Sequence, residues 1–451
     1  MTIAAAPELE SVAPGDAEYD QARRLYNGAI DHRPELILRP RDARQVARAI
    51  LHAREAELPL AVRGGGHSLP GHSMADGGVT IDLCHLRAVE VDPTAGTARV
   101  GGGALLADLD RAAQRHGLVV PAGHVSHTGV AGLTLGGGVG WLTRSRGLTI
   151  DSLLGATVVT AEGEIVRASE DEHPDLFWAL RGGGGNFGVV TEFTFRATPL
   201  GTTVLAGLLV HPLERAREAL AFSRDFMAEA PDELTLYQML FTAPPQGPFP
   251  PGLQGRPVLA LGLVWSGDLA AGERVVAPLR AFGEPLDLVG PMPYVAVQAM
   301  QDEANPHGIC AYNKAGWLDG LSDAAIDVTV DRFAAVSSPF SALMLARMGG
   351  TMSRVAPDAT AFPHRSAEYM AWIISQWPPG FGEAEEHVAW CRSTFEALRP
   401  FFAGGVYVNG LAGDEPERLR EAYGVNYARL REVKRRWDPD NAFRLNANIR
   451  L

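Results

Sequence analysis

The chain has 451 residues, a formal net charge of −13 and 46% hydrophobic residues. That length favours two domains over one core, and that hydrophobic share excludes global disorder. The acidic balance disfavours an extended nucleic-acid surface, and no apolar run reaches the roughly 18 residues of a membrane span. In chain order, residues 1–20 read as a loose leader. A helix is expected over 42–56, with Val46, Ile50 and Leu51 on one face. A buried strand over 59–62 runs into Arg63-Gly64-Gly65-Gly66-His67-Ser68. Short strands follow over 79–83 and 88–91. A helix over 104–116 stops at Gly117, a residue suited to the left-handed position past a helix end. Next come a Gly/Pro loop over 121–129, a short apolar helix, and Gly136-Gly137-Gly138-Val139-Gly140. Segments 153–160 and 165–168 bracket Ala161-Glu162-Gly163-Glu164 as a hairpin. Helical turns at 174–180 precede a strand at 189–195. Beyond about residue 200, helices such as 212–229 alternate with strands such as 257–265 and 341–348, and a Pro/Gly loop covers 244–252. A last helix over 415–437 ends at Asp438-Pro439.

Glycine is unevenly spread: 26 of the 50 glycines fall within residues 61–200. Gly183-Gly184-Gly185-Asn186-Phe187-Gly188 fits G-x-G-x-x-G, yet a helix precedes it and a strand follows, the reverse of the dinucleotide-binding order. There is no Walker A motif and no H-E-x-x-H, and Gly66-His67-Ser68-Leu69-Pro70 misses the G-x-S-x-G elbow. His124 and His127 sit in a Gly/Pro loop without a carboxylate partner, so they read as loop-packing histidines and no metal site is expected. Cys84, Cys310 and Cys391 are too few and too scattered for a disulfide framework. The acidic N-terminus lacks a secretion signal, which makes the cytoplasm the expected location, and the Arg and Ala richness points to a GC-rich bacterial genome. What remains is three glycine loops, 63–71, 129–140 and 182–188. Glycine lets backbone N–H groups approach a ligand closely and form anion-binding nests, so three such loops suit a long, phosphate-bearing cofactor.

Arg63-Gly64-Gly65-Gly66-His67-Ser68 with Gly71 resembles the first flavin loop of the berberine-bridge-enzyme-like flavoproteins, within the vanillyl-alcohol-oxidase (PCMH-type) FAD-linked oxidases. The segment from Gly129 to Leu142, continued by Gly147-Leu148-Thr149-Ile150-Asp151, resembles their second signature, and Asp175 to Thr191 the third. Tyr407-Val408-Asn409, Tyr423-Gly424, Asp438-Pro439, Asn446 and Asn448-Ile449 resemble their C-terminal segment.

The resemblance implies an α+β, two-domain PCMH-type FAD-binding fold. It places the FAD domain at 1–200, an antiparallel-sheet substrate domain at 201–405, and a C-terminal segment at 406–451 returning to the FAD domain. It implies FAD bonded covalently to His67. Many relatives add a cysteine bond, but Val125 stands at the cysteine's place, so one bond through His67 alone is expected. It further assigns FAD contacts to Arg63, Gly64, Gly65, Gly66, Ser68, Gly71, His72, Gly123, Thr128, Gly129, Gly132, Leu133, Gly137, Gly138, Gly140, Trp141, Asp151, Gly188, Val190, Asn446 and Asn448. The implied reaction is hydride removal from a small alcohol or amine to the flavin, with dioxygen reoxidising it to give hydrogen peroxide; Thr128 leaves room for the dioxygen. Tyr407 is the first candidate for acid/base or orienting work, followed by Tyr237 with its neighbour Gln238, and His364. The partners expected are a small-molecule substrate and dioxygen, with no nucleic acid and no membrane. Oxygenating or cyclising chemistry, or flavin binding without turnover, are the alternatives.

Overall fold

Helix Ala43–Glu55 begins at Asp42, whose carboxylate accepts the Gln45 N–H at 2.8 Å, a cap worth about 1 kcal/mol. Its buried face, Val46, Ala49, Ile50 and Ala53, packs between two sheets. The first runs Glu10–Val12, Leu36–Arg39, Val79–Asp82, Leu60–Arg63, with only the Glu10–Val12 edge antiparallel. The second is antiparallel, in the order Val89–Asp92, Thr97–Gly101, Val189–Arg196, Leu153–Val159, Ile165–Ser169. The computed structural model describes residues 9–451. The expected leader therefore lies partly outside the described residues, and its described part is not loose: Glu10–Val12 is a strand and Tyr19–Ala22 a helical turn.

From Thr203 onward the strands belong to a third sheet of eight strands, all antiparallel, with four helices on one face. Pleating divides each strand's side chains between two tasks. In Leu234–Thr242, Leu236 and Leu240 join the helices' core, whereas Met239 and Phe241 face the other way. In Tyr369–Trp377, Ala371 and Ile373 face the helices, and Trp372, Ile374 and Gln376 face a cavity beneath the sheet.

The C-terminal segment crosses back to the glycine-rich domain. The single helix expected over 415–437 is broken: Leu419–Tyr423 ends at Gly424, at φ 44°, and Tyr427–Trp437 starts anew. Only glycine adopts that backbone readily. The break seats the Tyr423 hydroxyl against the carbonyls of Gly183 and Ala447, at 3.1 and 3.2 Å. In the helix that follows, Lys434 is wholly buried. Its Nζ donates to the Asn186 carbonyl at 2.8 Å, the Phe443 carbonyl at 3.1 Å and the Asp438 carboxylate at 2.6 Å. Burial pulls the Lys434 pKa down while Asp438 acts to raise it. Asp438 also accepts from the Ala442 and Phe443 N–H groups. Cutting such a buried pair strands a charge at a cost of about 3–5 kcal/mol. Lys434→Ala should therefore lower the unfolding free energy by about that amount in denaturant titration, and loss within error of zero would show the pair to be incidental.

Candidate active site

The glycine loops come together because two of them touch backbone to backbone. A Cβ on Gly65 would stand 2.3 Å from the Gly129 nitrogen, and one on Gly129 would stand 2.3 Å from the Gly65 nitrogen. No other residue permits that approach. The Leu106 N–H bonded to Thr128 and the Val130 N–H bonded to Ala104 fix the second loop beside the first.

Over these loops opens a cleft of about 1960 Å³, above the roughly 300–1,000 Å³ of a common ligand pocket. At one end, Leu60, Val62, Leu83, Val189 and Phe443 form an apolar slot. Gly64–Gly66, Gly129, Gly132, Gly184 and Gly185 line the middle, and Leu208, Met239, Met344, Trp372 and Ile374 roof the far end. A Cβ on Gly132 or Gly185 would meet no protein atom within 4 Å. The side-chain oxygens of Asn446 and Asn448 are buried without a protein partner. Both features leave room and unmet acceptors for a polar ligand in the cleft.

Of the expected cofactor contacts, Gly64, Gly65, Gly66, His67, Ser68, His72, Gly123, Thr128, Gly129, Gly132, Leu133, Trp141, Gly188, Val190, Asn446 and Asn448 line the cleft, as does Val125. Others lie behind its wall. Arg63 turns away to the Ala22 carbonyl and lies 4.0 Å from Asp82. Gly71 closes a turn onto Ser68 and packs on Ile30 and His32. Gly137 packs against Phe362, and a Cβ on Gly140 would fall 1.7 Å from the Ala122 carbonyl. Gly138 faces Thr149 and gives its N–H to Tyr407. Asp151 makes a two-pronged pair with buried Arg365, at 2.8 and 2.9 Å, and accepts the Leu148 N–H. Arg63 and Gly71 thus brace the first loop from behind, and Gly137, Gly138, Gly140 and Asp151 the second.

The three catalytic candidates separate in the same way. Tyr407 lines the cleft. Its oxygen accepts the Gly138 N–H at 3.1 Å and the Asn409 amide at 3.0 Å, leaving its own proton to donate. Burial raises its pKa against those bonds, so it is a neutral phenol at ordinary pH. Tyr237 is buried beneath the cleft wall, stacked 4.4 Å from Trp141. Gln238 points to the opposite face, onto Ser223 at 2.7 Å. His364 lies outside the cleft, with Nε2–H donating to the Glu421 and Ala422 carbonyls at 3.0 Å.

Of the two loop histidines, His124 belongs to the lining of the cleft and His127 packs against His67 of the first loop. Burial holds the His124 pKa down to about 4, with Nδ1 unpartnered. His127 meets His67 at 2.6 Å, Nδ1 to Nε2. Burial, with neighbouring His127 and His307, pushes His67 down to about 3, so its imidazole is neutral. Tyr26 stacks on it at 4.2 Å. One ring nitrogen from each of His67, His127 and His307 lies within 4.8 Å of the other two. Tyr26, Asp302 and His307, and the cleft residues Arg444 and Arg450, were beyond sequence reasoning because no local motif marks them. Among carboxylates at the cleft, Glu415 is engaged by Lys314 at 2.9 Å and Arg418 at 2.8 Å, and Glu303 is exposed.

Residues 34–169 match the FAD binding domain family, and residues 406–450 match the family described as berberine and berberine like. An FAD-linked oxidoreductase of Dictyostelium discoideum is 31% identical over 97% of this chain and 93% of its own. The (R)-6-hydroxynicotine oxidase of Paenarthrobacter nicotinovorans is 32% identical over 98% of this chain and 96% of its own. The crystal structure of 6-hydroxy-D-nicotine oxidase from Arthrobacter nicotinovorans superposes with a TM-score of 0.89 at 29% identity, covering 99% of this chain and 98% of that one. With the glycine loops, the C-terminal return and whole-length relatives all in agreement, the chain belongs to the berberine-bridge-enzyme-like family of FAD-linked oxidoreductases.

Proposed function

We propose that the protein is an FAD-dependent oxidase that takes a hydride from a small, largely apolar amine or alcohol and returns the electrons to dioxygen as hydrogen peroxide. The observation that carries this reading is one continuous cleft that runs from an apolar slot through a glycine-lined channel to an apolar, aromatic room, with Tyr407 on its wall. The cleft fits FAD: it has the volume, open glycine positions at 132 and 185, the free acceptors of Asn446 and Asn448, and the cations Arg444 and Arg450. His67 is the residue that would bond it. When bound, FAD supplies the hydride acceptor.

The residues around the room set what it can oxidise. Leu208, Met239, Met344 and Trp372 exclude water and favour an apolar frame. Tyr407 donates a hydrogen bond and so orients a nitrogen or oxygen of the substrate rather than removing a proton. The cleft carboxylates are engaged or exposed, which favours an amine entering as its free base, since nitrogen's lone pair removes the need for a protein base. The named activity of the nicotine oxidase relative supports the amine. A second reading, an alcohol, draws on His124, whose unpartnered Nδ1 would accept the hydroxyl proton.

Acid precipitation of the purified protein should give a yellow pellet, and His67→Ala should move the colour to the supernatant. Gly132→Ala should keep or raise the melting temperature, since alanine favours a helix by up to about 1 kcal/mol, while weakening flavin retention; parallel loss of both would refute the cradle. Tyr407→Phe should lower kcat/KM for the best amine or alcohol by about 10-fold, the worth of an oriented hydrogen bond of about 1–1.5 kcal/mol. An unchanged value, measured as peroxide release, would remove Tyr407 from the reaction. Because its pKa is raised, Tyr407 should add no titration step between pH 8 and about 10, where an ordinary tyrosine would ionise, so with an alcohol, or with an amine already wholly free base at pH 8, the wild-type rate should stay flat over that range.

A further inference from the structure

Three neighbouring strands of the third sheet, Leu234–Thr242, Ala342–Arg347 and Tyr369–Trp377, stand in a register that ranks their cleft-facing side chains in rows. Met239, Met344 and Trp372 are cross-strand partners and form the inner row. Phe241, Ala342 and Ile374 form the next, two residues outward on every strand. All six line the cleft. At about 3.3 Å per residue the rows lie about 7 Å apart. Trp372 marks the inner end, its ring 6.1 Å from that of Tyr407. The second row is uneven. Ala342 offers only a methyl group between the larger Phe241 and Ile374, which leaves a trough down the middle strand.

The same edge of the sheet ends in loops rich in proline and phenylalanine. The first strand runs out into residues 243–256, where Pro244, Pro245 and Pro248 are exposed and Phe249 folds in against Phe241, ring to ring at 6.1 Å. Phe340 leads into the middle strand, and Phe381 follows the third. They are 48% and 40% exposed, the most exposed phenylalanines among the described residues, and they meet edge to face at 5.8 Å. Both line the mouth of the cleft, and neither belongs to the packed cores. Their backbones are fixed. Beside Phe340, Ser341 Oγ donates to the Gln376 carbonyl at 3.3 Å and accepts the Gln376 N–H at 3.1 Å. The Phe381 N–H donates to the Pro378 carbonyl at 3.0 Å, and the Phe381 carbonyl accepts from His387 at 2.9 Å. The three loops contribute no charged side chain to the cleft, so they offer little to a sugar chain or a charged arm.

We infer that the trough and the mouth hold a hydrocarbon arm of the substrate. The substrate is then an amine or alcohol whose reacting end sits by Trp372 and Tyr407 and whose apolar arm lies along Ala342 and leaves past Phe340 and Phe381. The inference deepens the oxidase reading and rests on it for the reacting end. The arm is the occupant because the exposed rings are the outer end of the same cleft and continue its rows without a break. From Trp372 to Gln376, level with the mouth, is four residues, about 13 Å. An arm of that length removes apolar surface from water at both ends of the trough. No bond forms or breaks there; the arm contributes binding alone.

The test reads affinity against chain length. Flavin-loaded protein, its flavin kept reduced so that nothing turns over, is titrated by calorimetry with straight-chain primary amines and alcohols of about four to about ten carbons. Each added methylene should tighten Kd by about threefold, close to the worth of burying one such group, until the chain clears the mouth. Ala342→Phe, which fills the trough from the cleft-facing register, should abolish the gain beyond the shortest members and leave those nearly unchanged. Phe340→Ser combined with Phe381→Ser should weaken the longest members alone, by about 10-fold. An affinity that ignores length, or that Ala342→Phe lowers equally at every length, overturns the inference. If Ala342→Phe does not fold, the double variant, which alters only surface rings, decides: unchanged binding of the longest members overturns it. Other covers for the rings are read on the same samples. A dimer in sedimentation, or flotation with phosphatidylcholine vesicles, that the double variant abolishes would assign the rings to a second copy or to a membrane and overturn the arm. Failure of the oxidase reading is distinct: no peroxide from a broad panel of amines and alcohols, with binding still length-dependent, would overturn that reading and leave the hydrocarbon site standing.

Discussion

Everything at the cleft depends on two peptide backbones being allowed to touch. Gly65 and Gly129 meet at a distance no side chain tolerates, and this contact brings the first histidine-bearing loop against the second. From it follow the channel floor, the position of His67, and the reach of His127 across to it. The first loop hangs from the parallel sheet and the second is tied to Ala104 and Leu106. The contact therefore also couples two segments whose sheets are separate.

The third loop has a different support. It depends on the C-terminal segment, through Lys434 beneath the Asn186 carbonyl, Tyr423 beneath that of Gly183, and the Ile449 N–H on the Asn186 side chain at 3.0 Å. A chain cut short of residue 423 would lose all three. Binding surface and stability are joined here: the groups that complete the cleft wall are neighbours of those that anchor the chain end.

How much of this was legible in the sequence follows from the range of each interaction. The glycine loops, the helix–loop–strand order around Gly183–Gly188 and the capped helix at 43–55 are local, and residue types at short spacing reveal them. The C-terminal helix reads as continuous in the sequence because its apolar pattern hides the reversal at Gly424. Asp151, expected at the cofactor, pairs with Arg365, 214 positions away. Asp302 reaches Ser126 over 176 positions, and nothing near either residue predicts that meeting. Tyr237 and Gln238 show the limit within one strand: alternation tells that they point oppositely, not which of them meets helices.

That alternation has a consequence for how the protein can change. In the third sheet, Leu236, Leu240, Leu343, Leu345, Ala371 and Ile373 hold the helices, while Met239, Met344, Trp372 and Ile374 line the room. Core and specificity are written on the same strands in interleaved positions. Substitutions on the cleft-facing register can remodel the substrate room while the helix-facing register keeps the domain intact. One scaffold can thereby be retuned to new molecules by steps that each leave a folded protein, and the flavin end need not move.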